Sequence, residues 1–244
     1  MFADRNYENA RPNQPAVTLI RSRISSGNAY FTHVISPRNT VGVQYGAQAL
    51  EFPQHNARTF THSFNFLDVI TFSSHSSLTL FAGPDYSLTS NQIVFSLGGI
   101  IISIPVTANT WSASGGAIYS LQGERTALQA QFSRHVSDGG GLIGAVYLTS
   151  GRIDIITRLT KNWDLDMNGI GAVNNLIAGT SSSNPQLLRY GAGAGFNRKL
   201  GENFSMRFFY DRMNQSASNV NEVLGNHNIG GISLDIHFLR PLGR

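Results

Sequence analysis

Apolar and polar residues alternate along most of this chain, as in strands that have one apolar and one polar face. The closing stretch shows the alternation most clearly, with Ile232, Leu234, Ile236 and Phe238 separated by Ser233, Asp235 and His237. The same pattern predicts about twelve strands, near residues 16–24, 28–36, 40–50, 57–72, 77–87, 111–121, 125–136, 148–160, 163–174, 187–199, 203–214 and 228–239. The predicted fold class is therefore all-β.

Tight polar turns join these strands in pairs, at residues 36–39, 73–76, 122–125, 161–162 and 200–203. Longer connections rich in Ser, Asn and Gly separate the pairs, at residues 88–110, 137–147, 174–186 and 215–227. Short turns at one rim and longer loops at the other predict an antiparallel, up-and-down β-barrel.

The predicted barrel is a single domain of residues 15–244, preceded by an irregular N-terminal extension of residues 1–14. The longest apolar stretch, residues 93–106, is shorter than the roughly 20 residues that a membrane-spanning helix needs. Its Gly98-Gly99 pair could instead close an additional hairpin. That alternative raises the predicted count to about fourteen strands.

Composition favours a barrel in a membrane over a soluble sandwich. The polar faces of a soluble sheet are rich in Lys, Glu and Asp, because they face water. In this chain 13% of the residues are charged, and Lys161 and Lys199 are the only lysines. The alternating polar positions hold mostly Gly, Ser, Thr, Gln and Asn, which suit an enclosed lumen, while the apolar positions suit lipid. We therefore predict a transmembrane barrel.

Aromatic residues support this prediction because transmembrane barrels carry aromatic girdles where lipid meets water. Six lie at or near predicted strand ends: Trp111, Tyr119, Trp163, Tyr190, Tyr210 and Phe238. The formal net charge of +4 comes from scattered arginines rather than from a basic patch, which argues against nucleic-acid binding.

Four segments carry a resemblance to known proteins: SPRNTVGVQYGAQ, SSHSSLTLFAGPDYS, QGERTALQAQFSRHVSDGGGLIGAV and GGISLDIHFLRPLGR. They look like bacterial outer-membrane β-barrel proteins of a porin-like, poorly characterised family, and the resemblance extends from about residue 28 onward. It implies location in the outer membrane, contact with outer-membrane lipid, and insertion by the barrel-assembly machinery. In such families the end of the last strand resembles the signal that this machinery reads. Ile236 and Phe238 would take that role, although the chain departs from the usual pattern by continuing with residues 239–244.

Charged residues at polar positions in the second half of the chain are the candidate functional residues. They are Arg152, Asp154, Arg158, Asp164, Asp166, Arg189, Arg207 and Asp211. Either they pair across strands and fill a narrow barrel, or they line a water-filled passage and bias which solutes pass. In the second case, the four arginines outnumber the carboxylates that stay free once Asp154 and Asp164 pair with neighbours. This excess predicts a weak preference for anions.

Other chemistry finds little support in the sequence. The chain has no Cys, and its seven His lack metal-site spacing, so no cofactor or metal is expected. His33, His135 and His237 lie on or near the polar parity without a nucleophile motif. Residues 138–141 and the alternate Gly191, Gly193 and Gly195 do not form nucleotide-binding motifs.

The sequence thus predicts a barrel for passive solute passage or surface contact, without catalysis. Two alternatives stay open. A hydrolase at the barrel rim, acting on lipid or peptide, requires a Ser or Asp within hydrogen-bonding distance of one of the three histidines at positions 33, 135 and 237. A soluble β-sandwich adhesin requires two packed sheets and no continuous apolar belt.

Overall fold

The structure, a computed structural model, describes residues 3–5, 22–53, 56–97, 100–137, 146–176, 186–201, 203–217 and 223–236. These residues form the strands β1 (Ala3–Arg5), β2 (Ser22–Ser36), β3 (Asn39–Phe52), β4 (Ala57–Ser73), β5 (Ser76–Leu97), β6 (Ile100–Gln122), β7 (Thr126–Ser137), β8 (Val146–Arg158), β9 (Trp163–Leu176), β10 (Gln186–Lys199), β11 (Phe204–Ala217) and β12 (Val223–Ile236).

All twelve strands belong to one sheet, ordered β1 to β12 along the chain, and each strand is antiparallel to the next. This order confirms the predicted all-β, antiparallel, up-and-down architecture. The five predicted tight turns all connect strands at the same end of the sheet, which we call the short-turn rim. The other connections lie at the opposite rim. No register joins β12 to β1 or β2 within the described ranges, and β1 pairs only with residues 22–24.

Among the described residues, no helix is long and apolar enough to span a membrane.

Two predicted strand boundaries are wrong near the start of the chain. The predicted strands at 16–24 and 28–36 were separated at residues 25–27, but β2 runs without a break through them. Those three residues pair with residues 47–49 of β3, so the ladder continues although the side chains are small. Residues 16–21 lie outside the described residues. Within the predicted extension 1–14, residues 3–5 form β1.

The predicted connection at residues 88–110 is largely strand. β5 and β6 pair along their whole length, from Ser76 opposite Leu121 to Leu97 opposite Ile100. The apolar stretch 93–106 therefore lengthens an existing hairpin, and the two further strands that it was predicted to add are not found in the described residues. Likewise, β11 and β12 occupy most of the predicted connection at 215–227, because the ladder extends beyond the alternating segments.

The sheet has two faces of different chemistry, because residues paired on neighbouring strands point to the same side. The outer face presents large apolar side chains that are 51% to 72% exposed, among them Phe31, Phe66, Trp111, Phe132, Tyr190 and Ile232. The inner face carries the buried polar side chains Thr59, Thr61, Asn65, Asp85, Ser87, Ser114 and Ser133. This arrangement is inverted relative to a soluble protein and suits lipid outside and a polar lumen inside.

A small apolar cluster crosses the interior near the opposite rim. Leu50, Phe52 and Ala57 lie at the ends of β3 and β4, and they pack with Val136 of β7 and Tyr147 of β8. In the strand register, Val136 and Tyr147 belong to the outer face of the sheet. Because they nevertheless pack against Leu50, Phe52 and Ala57, the ends of β7 and β8 turn their outer face onto the inner face of β3 and β4. The cluster narrows the interior beside the first half of the sheet.

Candidate functional site

The eight charged candidates of the second half all lie on the inner face. Cross-strand pairs place them there: Asp154 opposite Asn168, Arg158 opposite Asp164, Asp166 opposite Gly195, Gly193 opposite Asp211, and Asn197 opposite Arg207. Arg152 and Arg189 share this parity on β8 and β10. Four neighbouring strands, β8 to β11, therefore present one charged surface to the interior.

Most of these charges pair with one another. Arg207 contacts Asp166 at 2.5 Å between Nη2 and Oδ2. Arg152 donates two hydrogen bonds to the carboxylate of Asp154 on the same strand, one of 2.6 Å from Nε and one of 2.8 Å from Nη2. Asp164 lies between two cations, 4.0 Å from Arg158 and 3.8 Å from Lys199. We call Arg152, Asp154, Arg158, Asp164, Asp166, Lys199 and Arg207 the ion-pair network.

The alternate glycines of β10 make room for the carboxylates. A Cβ built at Gly195 would lie 2.7 Å from Asp166 Oδ1, and one at Gly193 would collide with the carboxylate of Asp211. Side chains at these two positions would therefore push the acids out of place. The structure thus shows that the glycine-lined wall of β10 accommodates acidic side chains from the strands on both sides.

Two of the eight candidates remain outside the ion-pair network. Arg189 has a buried Nε with no hydrogen-bond partner in the described part of the chain. Asp211 accepts a hydrogen bond of 3.4 Å from the amide of Asn168. Within the network four cations face three carboxylates, because Asp164 is shared between Arg158 and Lys199. Outside the network lie one cation and one anion. Ion pairing therefore leaves a small excess of positive charge on this surface, and the weak preference for anions stays a prediction.

The histidines do not form a catalytic arrangement in the described residues. Neither His33 nor His135 has a Ser or Asp hydrogen-bond partner there, and His237 lies outside that part of the chain. Ser74 does contact His75 at 2.9 Å, but the two are neighbours in an exposed turn. His62 bonds the Tyr45 hydroxyl at 2.7 Å on the outer face. No group of metal-binding side chains occurs among the described residues either.

A second polar surface on the inner face of β4 to β6 was not among the predicted site residues. Hydroxyl pairs connect Thr59 to Thr89 at 3.1 Å and Thr61 to Ser87 at 3.0 Å. Nearby, the Ser114 hydroxyl lies 2.9 Å from Asn65 Oδ1 and 2.7 Å from Asp85 Oδ1. We call these seven residues the hydroxyl ladder. The polar parity of β4 signals it in the sequence, but uncharged Thr and Ser are also common in structural positions.

Comparisons with solved structures identify the fold. The copper transporter OprC aligns with 87% of this chain at 11% identity and a TM-score of 0.59, and the chain spans 42% of its length. Also similar are a deltaS2 mutant of the TodX monoaromatic hydrocarbon channel, at 9% identity and TM-score 0.47, and a Pseudomonas aeruginosa FadL homologue, at 9% and 0.39. These cover 89% and 88% of this chain, which spans 75% of each.

Comparisons with protein-family models and with curated protein sequences found no match. The likeness to OprC shows the fold and nothing finer, because identity is 11%. It confirms the predicted bacterial outer-membrane β-barrel, and the outer-membrane location follows from that fold and its apolar outer face.

Proposed function

We propose that this barrel serves passive passage of small polar solutes across the outer membrane, without catalysis. The observation that carries the proposal is the solvent exposure of the charged inner surface. The side chains of Arg152 and Arg158 are 57% and 60% exposed, although both point inward. Ionised side chains that are paired and hydrated are typical of a water-filled route, since burying them without water would be costly.

The route that we propose follows β8 to β11 rather than β3 to β6. The apolar cluster around Leu50 and Phe52 narrows the interior beside the first half. The hydroxyl ladder there is tightly packed, with Thr59 and Ser87 each 1% exposed. Charges of both signs in the second half would keep the route filled with water, and their small positive excess would give it only a weak preference for anions.

Conductance in planar bilayers tests this proposal. Arg152→Ala with Arg158→Ala should raise single-channel conductance, because the two long side chains occupy the proposed route. Arg212→Ala removes the same chemistry from the outer face and serves as the matched control, with no change expected. An inserted, correctly folded protein that conducts no ions would contradict passage.

A second candidate function, surface contact, is favoured by one observation. Residues 91–97 of β5 and 100–106 of β6 pair only with each other within the described residues. This end of the hairpin therefore extends beyond its neighbours at the opposite rim. A protease site inserted at residues 98–99 should be cleaved on intact cells. Protection from protease on intact cells would argue against a surface role.

The alternatives that required catalysis or two sheets lose support. One continuous sheet is present in the described residues, whereas a sandwich adhesin needs two. The rim-hydrolase alternative lacks the Ser or Asp partner that it required at His33 and His135.

For partners, we propose outer-membrane lipid against the outer face, and insertion by the barrel-assembly machinery through the last strand. Ile236 lies there on the outer face and is 57% exposed, while Phe238 is outside the described residues.

A further inference from the structure

A polar cavity of about 250 Å³ lies inside the first half of the sheet. Its wall combines the inner face of β2 to β6 with the end of β7, which turns inward there. Polar lining residues include Asn28, Gln48, Asn65, Asp85, Ser114 and Arg134. The volume corresponds to roughly eight water molecules at about 30 Å³ each, so the cavity is large enough for one small molecule.

Asp85 is the unusual member of this wall. Asp85 is only 1% exposed, yet it forms no ion pair in the described part of the chain. Its hydrogen-bond partner is Ser114, whose one hydroxyl hydrogen must serve both Asp85 and Asn65. Buried carboxylates are normally paired or fully hydrogen-bonded, so this group is short of hydrogen-bond donors.

Arg134, which also lines the cavity, supplies the complementary charge. It too forms no ion pair among the described residues, and its guanidinium lies 5.2 Å from the centre of the Tyr147 ring. A contact with the π-system of a ring uses none of the guanidinium N–H groups as a carboxylate ligand would, so these donors are available for a carboxylate. The cavity thus separates an anion from a cation without letting them pair.

We propose that this cavity is a binding site for a small zwitterion, a molecule with one ammonium and one carboxylate group. The ammonium pairs with Asp85 and supplies the missing hydrogen-bond donors. The carboxylate pairs with Arg134, and the amides of Asn28 and Gln48 can bond a polar substituent. A free amino acid with a small side chain has these groups and this size. The site is separate from the ion-pair network, and it does not depend on whether solutes cross the barrel.

Calorimetric titration of the purified protein in detergent tests the proposal, with L-serine as the probe. Propylamine carries only the cation, propionate only the anion, and glycerol neither. L-Serine should bind at least about tenfold more tightly than any of the three, since it alone completes both charged contacts. Equal binding of glycerol, or no binding of L-serine, would overturn the proposal without any variant.

Variants assign each charge to its partner. Asp85→Asn, which keeps the side-chain shape, should weaken L-serine and propylamine about tenfold and leave propionate unchanged. Arg134→Gln should weaken L-serine and propionate and leave propylamine unchanged. Asp68→Asn and Arg212→Gln make the same changes on the outer face and should alter nothing. Unchanged L-serine affinity in folded Asp85→Asn would show that Asp85 is simply protonated. Because the assay involves no membrane, passage and binding can fail independently.

Discussion

The two halves of the inner face are polar for different reasons. In the first half, which we call the neutral half although it contains Asp85, β4 to β6 use mainly hydroxyl and amide groups in short pairs. These residues are almost completely buried, as at Thr59 and Ser87. In the second half, β8 to β11 use full charges in pairs, and Arg152 and Arg158 stay more than half exposed. The comparison shows what each chemistry permits. Neutral groups that are hydrogen-bonded can be buried away from water at a modest free-energy cost, whereas ionised groups stay in contact with water because burying them costs much more.

The difference also accounts for where the interior narrows. Apolar side chains from opposite walls meet beside the neutral half, at Leu50, Phe52 and Val136. An apolar cluster beside the ion-pair network would remove water from its charged side chains. Their ion-pair partners alone would then have to offset the lost hydration. We therefore expect the neutral half to contribute stability and the charged half to contribute solvation.

The largest expected effect tests the assignment of faces on which the comparison rests. Leu234 lies on the outer face and is 59% exposed, while its neighbour Asp235 points inward. Leu234→Arg should block stable membrane assembly, because a charge in lipid costs about 2 to 4 kcal/mol near mid-membrane. Asp235→Arg should assemble almost normally. Heat-modifiable migration on detergent gels measures both, and equal tolerance of the two variants would contradict the assignment of faces.

A smaller effect separates the two halves directly. Ser114→Ala leaves two buried oxygens without their donor and should cost about 1 to 3 kcal/mol of unfolding free energy. Arg152→Gln breaks an exposed pair and should cost at most about 1 kcal/mol. Urea titration in detergent compares them. The distinction between a stabilising and a solvated half fails if Arg152→Gln costs as much as Ser114→Ala.

A still smaller effect concerns ion selectivity in the charged half. The two charges outside the network, Arg189 and Asp211, have opposite signs, but the network itself holds four cations and three carboxylates. We therefore expect the wild-type protein to show a weak preference for anions. Arg189→Gln should move the reversal potential toward cations, and Asp211→Asn should move it toward anions. A planar bilayer under a salt gradient measures both shifts, with Arg212→Gln on the outer face as the control. A wild-type preference for cations would contradict the expectation.

The smallest effect is that of salt. Raising ionic strength from about 0.1 M to 1 M shortens the Debye length from about 10 Å to 3 Å. The exposed pairs of Arg152 and Arg158 should weaken, while hydroxyl pairs such as Thr61 with Ser87 should not. The stability lost on breaking a pair with Arg152→Gln should therefore shrink in high salt, and that lost in Ser114→Ala should persist. Identical salt responses would show that both halves are equally screened.

Local patterns in the sequence determined most of the fold. A period of two predicts strands and their two faces, because neighbouring side chains point to opposite sides. Turn residues such as Pro37 and Gly123 predict where pairs of strands join, and all five tight turns are found. Both signals depend only on residues close in sequence. The polar parity also identified the eight inward charges of β8 to β11 as a set.

Tertiary structure decided what those local patterns leave open. Strand ends follow the partner strand rather than the alternation, so β2 continues through residues 25–27, and β5 and β6 extend through the predicted connection. Which arginine meets which acid depends on register between strands. The meeting of Asp85 with Arg134 around one cavity requires β7 to turn across the interior toward β5. These positions are 49 residues apart in the chain, and no local periodicity encodes an approach over that distance.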